Sequence, residues 1–84
     1  MRIQILGAGC ANCERLAQNA EIAARELGID FTLEKINDIA RILEFQVILT
    51  PGLVVDDRVR CFGSVLSVER IKTLLRDSDD EETA

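Results

Sequence analysis

At 84 residues the chain is a single domain near the lower end of what folds unaided, and 48% hydrophobic content rules against disorder; with only 4% aromatics the core must be aliphatic. The formal net charge of −5 sits at the end of the chain: residues 77–84 carry five acids and no base, leaving ten acidic residues against ten basic ones elsewhere. Such a run reads as a solvated, disordered tail after a domain spanning residues 1–76, and the neutral, aromatic-poor body excludes nucleic acid as the expected partner.

Residues 2–6 alternate as a strand, with Ile3 and Ile5 on one face and Gln4 and Leu6 on the other. This apolar start is too short for a signal sequence and no stretch is long enough to span a membrane, so the expected compartment is the cytoplasm, with no membrane partner. Gly7-Ala8-Gly9 breaks the strand. From Ala11 to Leu27 the period becomes helical, with Cys13, Leu16, Ala20, Ala23 and Leu27 at steps of three and four, and Gly28 suits the helix end. Its small alanines would let this helix lie close on a sheet.

Ile29 to Ile36 reads as a second strand. Asn37 and Asp38 are capping residues for a short helix through Ile39, Ile42 and Leu43. Thr50-Pro51-Gly52 makes a sharp break before a third strand, Leu53-Val54-Val55. Asp56-Asp57 is a two-residue turn into a fourth strand, Arg58 to Phe62, which Gly63 ends. Ser67 caps a last helix that buries Val68, Ile71, Leu74 and Leu75. The helical crossover makes the first two strands parallel and the tight turn makes the last two antiparallel. The expected fold is α/β, with order βαβ-α-ββα and a mixed four-stranded sheet flanked by helices on both faces.

Chemistry concentrates in Cys10-Ala11-Asn12-Cys13, where a strand has just ended and a helix begins. The spacing puts both sulfurs within disulfide reach across one turn. Unpaired N–H groups at a helix start stabilise a thiolate, lowering cysteine pKa values to about 3.5–7.5. Cys10, the outer residue, is the expected exposed nucleophile, and Cys13, on the apolar stripe, the buried resolving thiol. A Cys-x-x-Cys between strand and helix points to dithiol–disulfide chemistry. The only proline, Pro51, stands at the first residue of a strand, a position that tolerates it.

Cys-x-x-Cys after a first strand, with Thr-Pro leading into a late hairpin, resembles the thioredoxin superfamily. Gly7-Ala8-Gly9-Cys10-Ala11-Asn12-Cys13 together with Thr50-Pro51-Gly52-Leu53-Val54-Val55-Asp56 is similar, more closely, to the minimal "redox-active disulfide protein 2" thioredoxins of archaea and bacteria. The resemblance covers residues 1 to about 76. It implies a minimal thioredoxin/glutaredoxin-like fold and a small oxidoreductase that needs no cofactor and cycles Cys10 and Cys13 through a mixed disulfide with a target protein. It also implies a reductase as electron donor, a cis Pro51 facing the disulfide, and a Thr50 that offers its backbone to the substrate chain. Larger thioredoxins carry a buried aspartate six residues before the first cysteine, where this chain has Gln4, and the usual Trp-Cys-Gly-Pro-Cys is absent.

Other readings carry less. Gly7-x-Gly9-x-x-Asn12 lacks the third glycine of a dinucleotide fingerprint, and three cysteines with no histidine fall short of a closed zinc site, so no resident metal is expected. Cys61 reads as a buried apolar residue, and Arg58 and Arg60 as charges that keep an edge strand soluble. The rival function is carriage of a cuprous ion by Cys10 and Cys13. Heavy-metal-associated domains also place Gly-x-x-Cys-x-x-Cys before a first helix, but they run βαββαβ and end on a strand, whereas this chain ends on a helix.

Overall fold

The computed structural model describes residues 1–7, 11–47 and 49–83, with side chains through Asp77. Seven elements follow in chain order: β1 (Arg2–Leu6), α1 (Ala11–Glu26), β2 (Thr32–Ile36), α2 (Ile39–Glu44), β3 (Gly52–Val55), β4 (Arg58–Phe62) and α3 (Val68–Thr83). The sheet order is β2-β1-β3-β4. β1 runs parallel to β2, Arg2 opposite Thr32, and antiparallel to β3, which is antiparallel to β4.

Alternation along the strands splits the interior in two. Ile3, Ile5, Leu53 and Val55 face α1 and α3 and pack with Leu16, Ala17, Ala20, Ala23, Ala24, Ile71 and Leu75. Leu6, Ile36 and Val54 face the other way and pack with Ile42 of α2 and with Val47. Helices therefore cover both faces, as the pattern of elements predicts. Alanines on the buried stripe bring α1 close, and Lys72 of α3 ties to Glu26 of α1 at 2.7 Å. The Asn19 amide adds a hydrogen bond to the Leu66 carbonyl at 2.9 Å.

The ends of the elements have local causes. At the end of α1, Gly28 takes φ = +69°, while its N–H donates to Arg25 O and that of Ile29 to Ala24 O, at 3.1 and 3.2 Å. That pair of bonds is a Schellman closure, which satisfies carbonyls of the last turn. It also explains why β2 starts at Thr32 rather than at Ile29, because the Ile29 N–H is already spent on the helix. Asp38 caps α2 by accepting from Ala40 N at 2.9 Å, and Ser67 Oγ accepts from Arg70 N at 3.3 Å at the start of α3.

Asp56 and Asp57 form the two-residue turn with φ of +48° and +68°, the left-handed pair that matches strand twist. Their carboxylates also reach back to β1: Arg2 N donates to Asp56 Oδ1 at 2.8 Å, and the Arg2 guanidinium meets Asp57 at 3.1 Å. In β4 the pairing slips by one. Leu53 opposes Cys61 and Val54 opposes Val59, so Arg60 is the extra residue of a bulge. Cys61 lands on the main core only half-buried, a correction to its reading as a buried residue. α3 continues to Thr83, so its range takes in the acidic stretch from Asp77 onward. No glycine or proline lies between Val68 and Thr83 to stop it.

Candidate active site between Cys13 and the Thr50–Pro51 loop

The site is assembled where β1 ends, α1 begins and β3 begins. Gly7 follows β1 with φ = +97°, and its N–H donates to Ile36 O at 2.6 Å, the last tie between β1 and β2. Cys13 occupies the third position of α1, within the first turn, whose backbone N–H groups lack partners inside the helix. It is 2% exposed, as its place on the apolar stripe predicts, and it is disulfide-bonded. Cys61 is a free thiol. Cys10 lies outside the described residues, so its expected exposure and pairing are not part of the geometry.

Gly7 is where the parts meet. A Cβ built on it would lie 2.9 Å from Thr50 Cβ, 3.0 Å from Cys13 Sγ and 3.1 Å from Thr50 Cγ2. Only a residue without a side chain lets the buried sulfur and Thr50 approach this closely. The Thr50–Pro51 bond is cis, with Thr50 exposed and Pro51 buried. Pro51 O accepts from Gly63 N at 2.8 Å, which fastens the loop to the end of β4. The structure thus brings together three of the four residues singled out in the sequence: Cys13, Thr50 and Pro51.

Sequence reasoning missed the surroundings. Leu49 and Phe62 are exposed apolar side chains beside the loop, and Leu49 lies over Gly63, 3.5 Å from where its Cβ would stand. The signal for Gly7 was present, a glycine between a strand and the motif, but it reads as a strand breaker until Thr50 is seen beside it. Glu14, next to Cys13, is held by Lys35 of β2 at 2.7 Å.

Gln4 is fully buried. It shares the α2 face with Leu6 and Val54, and its Nε2 donates to Glu34 Oε1 at 3.1 Å. That hydrogen bond, aided by Arg41 3.6 Å away, holds the Glu34 carboxyl below its ordinary pKa, with desolvation opposing. The Gln4 Oε1 itself finds no partner among the described residues. Among those residues no group of three His, Cys, Asp or Glu could hold a metal ion, and no helix is long and apolar enough to cross a membrane.

Comparison with known proteins adds to this geometry. Residues 1–76 match the family model described as thioredoxin domain. A thioredoxin of Methanothermobacter thermautotrophicus is 49% identical over 75 residues, covering 89% of this chain and 97% of that protein. One from Methanocaldococcus jannaschii is 40% identical over 74 residues, covering 88% and 85%. Thioredoxin 1 of Thermosipho africanus superposes over the whole of both chains with a TM-score of 0.66 at 13% identity, a likeness of fold alone.

Proposed function

Since the chain belongs to the thioredoxin domain family and is a thiol–disulfide oxidoreductase, we propose that it reduces a disulfide in a target protein through Cys10 and Cys13, with Thr50 and Pro51 holding the target chain. The observation that supports this reading is the contact at Gly7. It brings the buried sulfur of Cys13 and the side chain of Thr50 to the same glycine, beside the exposed apolar side chains of Leu49 and Phe62.

The thiolate of Cys10 attacks one sulfur of the target disulfide. The target S–S bond breaks, its electron pair leaves on the second target sulfur, and that sulfur takes a proton. A Cys10–target mixed disulfide remains. The thiolate of Cys13 then attacks Cys10 Sγ, the mixed disulfide breaks, and the first target sulfur leaves as a thiol. The target has gained two electrons, and Cys10–Cys13 has become a disulfide that a reductase in the same compartment, the cytoplasm, returns to the dithiol. The burial of Cys13 suits the second step, because its sulfur meets only a partner already delivered by Cys10.

Paired substitutions test the roles. Cys13→Ser should accumulate a stable mixed disulfide with a disulfide-bonded protein such as insulin, visible as a mass shift that dithiothreitol removes. Cys10→Ser should accumulate none. In the reduced protein, iodoacetamide at about pH 7 should label Cys10 well before Cys13. Equal labelling of the two, with both protected by a cuprous ion, would favour metal carriage and overturn this assignment.

A further inference from the structure

Away from Cys13, β4 and α3 enclose a cleft of about 360 Å³, lined by Arg60, Cys61, Leu66, Arg70, Thr73 and Leu74. That volume falls within the range of small-molecule sites. Successive residues of a regular strand point to opposite faces. Here Arg60 and Cys61 are successive and line the same cleft, and the cause is the bulge, which takes Arg60 out of the pairing. Bulges re-aim side chains in this way beside functional sites.

The lining has a defined chemistry. Two guanidiniums come from different elements, Arg60 from β4 and Arg70 from α3, and among the described residues no carboxylate lines the space. Arg60 makes an interaction of its own, whereas Arg70 forms no ion pair among the described residues. The Thr73 hydroxyl is already given to Glu69 O at 3.2 Å, so the guanidiniums, that of Arg70 first, are the charged groups of the lining. Leu66 and Leu74 supply an aliphatic wall. The free thiol of Cys61, 3.6 Å from Ser64 Oγ, completes the lining.

We propose that the cleft between β4 and α3 is a recognition site for a small aliphatic carboxylate, bound by Arg60 and Arg70 at its charged end and by Leu66 and Leu74 along its body. A planar guanidinium matches a carboxylate through two parallel hydrogen bonds, which an ammonium-bearing ligand forfeits. A carboxylate-bearing disulfide bound there also meets the thiol. Cys61 displaces one half as a free thiol and retains the other in a mixed disulfide, so one S–S bond replaces another with no outside oxidant. Cys13 does not line the cleft, and the test does not depend on turnover of the dithiol.

Two reagents of nearly the same shape and opposite charge test it: 3,3′-dithiodipropionate, a dicarboxylate, and cystamine, a diamine. Their exchange with Cys61 in the oxidised protein is followed by peptide mass spectrometry, each rate divided by that for urea-unfolded protein. The folded protein should favour the dicarboxylate by about tenfold, above the few-fold effect of a fully solvated charge pair and well below that of an unscreened pair near a protein surface. Adipate, a dicarboxylate without sulfur, should slow alkylation of Cys61 by neutral iodoacetamide, and Arg70→Gln or Arg60→Gln should erode both effects. Equal normalised rates would overturn the proposal. So would charge selectivity without protection by adipate, which reduces the effect to the field around the thiol.

Discussion

Replacing Gly7 by alanine tests whether the close approach of Thr50 and Cys13 is what the site depends on. Two costs add. At φ = +97° an L-residue is strained by about 1–2 kcal/mol, offset in part by about 0.4–1 kcal/mol because alanine restricts the unfolded chain. The new methyl would also stand at 2.9, 3.0 and 3.1 Å from Thr50 Cβ, Cys13 Sγ and Thr50 Cγ2, and overpacking of this kind costs about 1–3 kcal/mol. Gly28→Ala is the matched control, since Gly28 also has positive φ, +69°, yet nothing lies within 4 Å of its Cβ position. Gly28→Ala should therefore lose about 1 kcal/mol and Gly7→Ala about 2–4 kcal/mol. At a urea slope of about 1 kcal/mol per molar, the Gly7 midpoint falls about 1–3 M below that of the Gly28 variant. Disulfide exchange measured on folded protein should drop for Gly7→Ala, where the sulfur and Thr50 must part, and persist for Gly28→Ala. Equal midpoints, or a Gly7→Ala protein that exchanges at the full rate, would refute the reasoning.

Other outcomes follow from the same contacts. Glu34 has a folded pKa below its unfolded one, so its contribution is complete above the unfolded value, about 4.3, and is lost as pH falls through the folded value. Gln4→Leu removes the main cause, so NMR titration should show the Glu34 carboxyl rising toward its ordinary value and less of the stability lost on acidification; an unchanged titration would mean that Arg41 alone sets it. Cys61→Ala should lose less than about 1 kcal/mol in urea unfolding, since the side chain is only half-buried, and leave redox cycling intact. A chain ending at Arg76 should keep its thermal midpoint and exchange rate, because the sequence beyond it adds five acids and no base at the end of α3 where the helix dipole disfavours negative charge. A large drop in either would show that this stretch packs on the domain.

The fold was legible because its signals are local and repeated. The Ala-rich stripe from Cys13 to Leu27, the Asp38 and Ser67 caps and the Asp56-Asp57 turn each act over a few residues, and element order then dictates sheet polarity. Where sequence reading slipped, a non-local choice had intervened. Ile29 is as good a strand residue as Leu33, but its N–H closes α1. The alternation of Arg60, Cys61 and Phe62 looks regular in sequence, and only the opposing Leu53 and Val54 reveal the extra residue. In the site, Cys13, Thr50 and Pro51 are visible as residue types, whereas Leu49, Gly63 and Phe62 matter through what lies next to them. Gln4 shows the same limit: its burial was readable, its partner on a neighbouring strand was not.

The division of the interior into two unequal clusters has a dynamic consequence. Among the described residues the cluster beneath α1 and α3 joins eleven buried residues, the one beneath α2 only five, with Ile42 the sole buried contribution of a six-residue helix. Cooperative units with few apolar contacts open at a lower free energy than the domain as a whole. α2 is therefore the part that loosens first, while β1, α1 and α3 stay closed and keep Cys13 covered. In hydrogen exchange the amides of α2 should outpace those of α1. The covered sulfur of Cys13 thus belongs to the part of the domain that opens last, and α2 to the part that opens first.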